Sequence, residues 1–203
     1  MIASWSARHT PALLREVAAI SREIPAEDLA IQWDVCIEIL EIATNASLLT
    51  VDPWARAAAQ FERITQPIPP PVLLGYHLCY GDLGHRHLVE PDSLALSVRM
   101  ANLALAHSRR RVDWVHMPVP VNRGDDAYFA PLKDLNAGAT DIFLGLIHHH
   151  DGVEGTLARA QAAHRYLPHF GVATECGLGR RPAATLVELL TLHREVAERL
   201  VRS

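Results

Sequence analysis

The chain has 203 residues, 49% of them hydrophobic and 21% charged, which is enough for one sizeable core in a single domain spanning residues 1–203. A mild formal charge of −4 with no basic stripe speaks against nucleic acid as a partner, and no apolar stretch approaches the roughly 20 residues of a membrane span. No charged start is followed by an apolar run, so no signal peptide is expected; in the cytoplasmic setting this implies, Cys36, Cys79 and Cys176 read as packing, metal or catalytic thiols rather than a disulfide framework.

Leu13, Leu14, Val17 and Ile20 recur at helical spacing and predict an opening helix. Residues 29–35 form the first apolar, strand-like run, which contains Ile31-Gln32-Trp33-Asp34. A carboxylate at the end of an apolar strand is costly to bury unpaired, so Asp34 either receives a substrate ammonium or caps the next turn. Residues 54–64 predict a second helix, and the proline cluster at 67–71 a stiff connector into the next strand, residues 72–80. That strand carries Gly75-Tyr76-His77-Leu78-Cys79-Tyr80. Residues two apart in a strand face the same way, so His77 and Cys79 present an imidazole and a thiol together. Such a pair can hold two corners of a zinc tetrahedron, or it can be a buried histidine beside a small apolar cysteine.

The histidines His85 and His87 follow. Asp92 is placed to cap a third helix through Leu94, Val98, Met100 and Leu105, and Arg109-Arg110-Arg111 falls where cations suit the helix dipole. Residues 112–119 form a strand containing His116, and a short helix is expected around 126–134. Residues 141–148 form the next strand and lead into His148-His149-His150-Asp151-Gly152. Period-two geometry would send His148 and His150 to one face, where one can act as acid, base or ligand. A helix at 153–166 and a strand at 170–174 lead to Thr174-Glu175-Cys176-Gly177-Leu178-Gly179-Arg180-Arg181. Here a thiol precedes a glycine-rich turn, and the arginines either grip a carboxylate or phosphate or are simply solvated. Leu186, Leu189, Leu190, Val196 and Leu200 mark the last helix.

Alternating strand and helix predicts an α/β fold of βα units on a parallel sheet. Polar stretches follow the strands, where barrel enzymes carry their chemistry. Five strand candidates are visible and a closed barrel needs eight. The expected architecture is therefore an incomplete (β/α)8 TIM-type barrel, roughly its last five βα units, with a smaller open sheet as the alternative. Exposed edges invite association, so a homo-oligomer or a partner that supplies the missing strands is expected.

Taken together, Ile31-Gln32-Trp33-Asp34, His77-Leu78-Cys79-Tyr80, the histidine triple and Cys176-Gly177-Leu178 resemble, in this order, the motifs of the C-terminal barrel of cobalamin-independent methionine synthase. The likeness spans roughly residues 10 to 200, within the superfamily that also holds uroporphyrinogen decarboxylase. The resemblance implies a zinc-dependent methyl- or alkyl-transferase acting on a small-molecule thiol, with a folate-like methyl donor. It implies His77, Cys79 and Cys176 as zinc ligands, Asp34 on the substrate amino group and His150 handling protons near the methyl donor. Gln32, His148 and Arg180 are further candidates for substrate binding. One departure stands out: the family's zinc-binding glutamate follows the strand after H-x-C, and here that strand has none, with Pro118 near the expected place. His116 is the candidate replacement. Two other readings remain open, a relative with lyase or decarboxylase chemistry using Asp34, His116 and His150, and a non-catalytic truncated barrel subunit.

Overall fold

The computed structural model of the chain describes residues 2–45, 52–81, 83 and 86–201; His85 lies outside them. Seven α-helices and five strands alternate among these residues: α1 (Ile2–Glu23), β1 (Ala30–Val35), α2 (Ile37–Thr44), α3 (Pro53–Thr65), β2 (Leu73–Leu78), α4 (Ala95–His107), β3 (Trp114–Pro118), α5 (Asp126–Phe129), β4 (Asp141–Ile147), α6 (Gly152–His164), β5 (Gly171–Thr174) and α7 (Leu186–Val201). All strands are parallel, in the order β1-β2-β3-β4-β5. Each strand lies beside its predecessor, as successive βα units of a barrel do.

The sheet has a dry face and a wet face. Leu74, Tyr76 and Leu78 of β2, Val115 and Met117 of β3, and Ile142, Leu144 and Leu146 of β4 are all buried within one core beneath the helices. From α3, Ala57, Phe61 and Ile64 join that core at helical spacing. Asp52 starts α3, accepting from the N–H groups of Trp54 and Ala55, with Pro53 in the first turn. A second, smaller cluster of Ile147, Leu189, Leu192 and Val196 seats α7 against the end of β4.

The register places the polar residues on the other face. Gln32 pairs with Gly75, and Gly75 with Trp114; Asp34 pairs with His77, His77 with His116, and His116 with Phe143. Two large rings are accommodated there by missing side chains. A Cβ on Gly75 would fall 1.8 Å from the Trp114 ring, and one on Gly171 would fall 2.4 Å from the Phe143 ring. Glycine is required at both positions by close approach across the sheet.

Several local expectations are corrected. Asp92 does not cap α4; the Ser93 hydroxyl accepts from the Ala95 N–H at 3.3 Å instead. The short helix α2 was not expected from the sequence; it ends on Asn45 in the left-handed conformation (φ 51°). The arginine triple lies beyond the end of α4 and is committed to tertiary bonds rather than to the helix dipole. Arg109 meets Glu62 at 2.5 Å, and Arg111 meets Asp113 at 2.5 Å. The Arg110 guanidinium donates to the carbonyls of Ile68, Pro69, Pro70 and Val72, so it ties down a connector whose prolines supply acceptors but no donors. No helix among the described residues is long and apolar enough to cross a membrane.

Candidate metal centre

His77 and Cys79 stand at the carboxyl end of β2, two residues apart on the wet face, as the strand period requires. Cys176 comes from the turn after β5 and reaches the same point. One ligand atom from each of His77, Cys79 and Cys176 lies within 4.8 Å of the others. The two sulfurs are 4.0 Å apart, close to the about 3.8 Å edge of a tetrahedron with metal–sulfur bonds of about 2.3 Å. His77 is 4% exposed, and its ring nitrogens meet no nitrogen or oxygen partner, only the neighbouring Cys176 thiol. A buried imidazole left to a thiol alone is costly unless something else binds it.

Cys36 belongs to the same neighbourhood. It follows β1 directly, and the Cys79 N–H donates to the Val35 carbonyl at 3.1 Å, so the ladder continues past the ends of both strands. The Cys36 thiol is within electrostatic reach of those of Cys79 and Cys176. The Gly81 N–H donates to the Cys79 sulfur at 3.3 Å.

The thiols hold their protons unequally. The hydrogen bond with Cys79 lowers Cys36 from its usual value against the opposing effect of burial. For Cys79, the bond with Cys176 favours the thiolate, but the bond with Cys36 and burial outweigh it and push the thiol up to about 11. The bond with Cys79 raises Cys176, and burial adds to this. Crowded thiols that resist carrying several negative charges are what a dication reverses, since a coordinated thiol is deprotonated outright.

His116 is beside this cluster, not within it. Its ring stacks on that of His77 with centroids 4.6 Å apart and planes 21° apart. Nitrogen lone pairs lie in the ring plane, so two stacked imidazoles do not aim at one ion. Burial, then the neighbouring His77, lower the His116 ring to about 3, so it stands neutral.

In front of the cluster lies a cleft of about 520 Å³ lined by Gln32, Asp34, His77, His116, Thr174, Cys176, Gly177, Gly179 and Arg180. The Trp114 indole N–H donates to the Gln32 side-chain oxygen at 3.2 Å, and the Gln32 amide donates to Asp34 at 3.1 Å. This relay fixes Asp34 while leaving its second oxygen available to a cation in the cleft.

The histidine triple behaves differently from expectation. β4 ends at Ile147, and residues 148–151 form a turn, so His148 and His150 do not alternate along a strand. His148 is buried; its Nε2 meets the Val119 carbonyl at 2.8 Å and its Nδ1 lies 3.4 Å from Glu175. Burial lowers its pKa, and Glu175 opposes the shift. His149 meets Glu188 at 2.7 Å, and His150 is exposed outside the cleft. Glu175 is a hub that no motif announced, with His87 at 3.7 Å and Arg181 at 3.8 Å as well. The turn itself is held by Arg159, which donates to the Leu146 and Val121 carbonyls and to both Asp151 oxygens. Burial alone would raise the Asp151 carboxyl, but the Arg159 hydrogen bonds and charge hold it below its ordinary value.

These features define an open, five-unit portion of a TIM barrel with soft-metal donors gathered at the carboxyl ends of its strands. The fold is shared with a B12-independent methionine synthase from Shewanella sp. W3-18-1, solved in complex with selenomethionine, at a TM-score of 0.53 and 15% identity over 85% of this chain and 49% of that one. A putative vitamin-B12-independent methionine synthase from Listeria monocytogenes aligns at 15% identity over 81% of this chain and 47% of that one, with a TM-score of 0.47. The chain thus spans about half the length of these structures. No family model and no curated protein matches the sequence.

Proposed function

We propose that this protein is a zinc-dependent methyl- or alkyl-transferase that acts on a small-molecule thiol. The observation that carries the reading is the convergence of His77, Cys79 and Cys176 within 4.8 Å at two separate strand ends. The donor set suits the metal: two thiolates and an imidazole are soft-to-borderline ligands, and their spacing matches a tetrahedral site. Zinc bound there would hold a substrate thiol as its thiolate near neutral pH.

The chain's own residues do the rest. Asp34, fixed by the Gln32–Trp114 relay, receives an ammonium group on the substrate and so orients its thiol toward the cluster. Neutral His116 forms one wall of the cleft and holds the His77 ring by stacking. Arg180 lines the mouth, where a guanidinium takes a carboxylate of the substrate or of a folate-like donor. A substrate thiolate so held would attack the donor's alkyl carbon, with the carbon–heteroatom bond breaking toward the donor, which would leave with its electron pair and take a proton from solvent.

Metal analysis of protein purified without chelator tests the reading. About one zinc per chain is expected, lost in Cys79→Ser/Cys176→Ser. Metal-free protein that takes up no added zinc would end the proposal.

A further inference from the structure

We propose that Cys36 is the fourth ligand of this metal centre, so that the resting site is Cys3His. The inference rests on the zinc reading above and deepens it. The strand that was expected to supply a fourth ligand offers only His116, and its stacked ring aims elsewhere. The vacancy is met from the other side. β1 and β2 run in parallel register from Ala30↔Leu73 to Val35↔Leu78, and the Cys79 N–H to Val35 carbonyl bond extends that ladder by one step. Continuing the register sets Cys36 opposite Cys79 on the face that already carries Asp34 and His77.

The register brings the Cys36 thiol within electrostatic reach of those of Cys79 and Cys176, and the Gly81 N–H donates to the Cys79 sulfur at 3.3 Å beside them. An N–H donated to a sulfur is the support that thiolate ligands use. The buried His77 ring, whose only polar neighbour is the Cys176 thiol, belongs to this same group and marks it as a place for a ligand rather than a packing site. Cys36 stands outside the 4.8 Å group, so its thiol must move inward to complete the tetrahedron, and α2, which begins at Ile37, moves with it. On binding, the Cys36 thiol releases its proton to solvent and its sulfur donates a lone pair to the ion.

A site with four protein ligands is closed, whereas a catalytic one keeps a position open. Cys36 therefore fills, at rest, the position that a substrate thiol takes, one thiolate exchanged for another. It is a half-buried cysteine at the edge strand, as Cys176 is at the far side of the sheet, while Cys79 is buried between them.

Cobalt(II) titration of the whole, metal-free chain tests this, because sulfur-to-cobalt charge-transfer absorption grows with the number of thiolates bound. Cys36→Ser is expected to lose about one third of the absorption per bound cobalt and to bind about 10–100-fold more weakly. Added 2-mercaptoethanol should restore the lost band in Cys36→Ser, since a free thiol takes the vacated position; a band that stays down would overturn the exchange. In unsubstituted protein, zinc should protect Cys36 from iodoacetamide together with Cys79 and Cys176, a readout that does not depend on how the variant folds. Cobalt bound with equal absorption in protein and variant, or Cys36 alkylated at its metal-free rate while the other two are protected, would overturn the proposal and leave the zinc reading standing. No cobalt or zinc uptake by the unsubstituted chain would remove both.

Discussion

Gly75→Ala is a one-carbon test of how the wet face is assembled. The added methyl would fall 1.8 to 2.2 Å from three atoms of the Trp114 ring, so the bicycle must leave its place over β2. Overpacking of this kind costs about 1–3 kcal/mol. The displaced indole also gives up its bond to Gln32, for about a further 1 kcal/mol. A total near 3 kcal/mol corresponds to a melting temperature about 6–12 °C lower for a domain of this size. Thermal melts followed by circular dichroism read this directly. The double variant Gly75→Ala/Trp114→Ala separates the cause: with the ring gone, the methyl has room, and its cost should fall below about 1 kcal/mol, leaving a coupling near 2 kcal/mol. Additive losses in the two single variants, or an unchanged melt in Gly75→Ala, would refute the reasoning. Because the relay through Gln32 positions Asp34, the same variant should also weaken binding of amine-bearing thiols without lowering zinc content.

Zinc affinity should rise steeply with pH, because burial and mutual contact keep the Cys79 and Cys176 protons on, and binding removes both. The logarithm of the binding constant should climb by about two or more per pH unit between roughly pH 6 and 8; a slope below one, from competition titrations, would contradict the assignment of two thiol ligands. Arg159→Met leaves Asp151 and the Leu146 and Val121 carbonyls, the first of them buried, without their partner and should cost about 3 kcal/mol, or about 6–12 °C in the melt. Since Arg159 holds the Asp151 carboxyl below its ordinary value, that stability is present above about pH 4 and is lost as the pH falls through the folded-state value. The gap between variant and parent should therefore narrow in acid, and a gap that widens would reverse the sign of the coupling. β1 and β5 bound the sheet, and Leu73 is 44% exposed beside Trp114 and Phe143 on the wet face. Self-association or a partner chain is expected, and a concentration-independent monomer in light scattering with a sharp cooperative melt would contradict it.

The five strands were legible because each is a short apolar run bounded by turn residues, and a buried parallel strand has no other way to look. His77 with Cys79 was legible because a two-residue spacing carries its own geometry. Cys36 was not: its place depends on the register between β1 and β2, which is a property of two segments some forty residues apart and leaves no trace in either one. The His148–His150 pairing failed because the strand stops at Ile147, and a one-residue difference in a strand end decides whether period-two reasoning applies. Arg110 was read from its neighbours in sequence, whereas its partners are the proline carbonyls of an earlier connector. Glu175 gave no local signal, since its histidines and arginine arrive from separate loops.

The strand order has a consequence for assembly during synthesis. Because every strand pairs with the one made just before it, a chain emerging from the ribosome can add each βα unit to an edge that already exists. The donors of the proposed metal site would then appear in sequence, Cys36 first, His77 and Cys79 with the second strand, and Cys176 only after the fifth. An ion that needs all of them reports on completion: a nascent chain stalled before its last strand would expose a half-built set of thiols and hold metal poorly. On that proposal, holding back the last ligand until the sheet is laid down would make metal capture a late, consolidating event rather than a nucleus for folding.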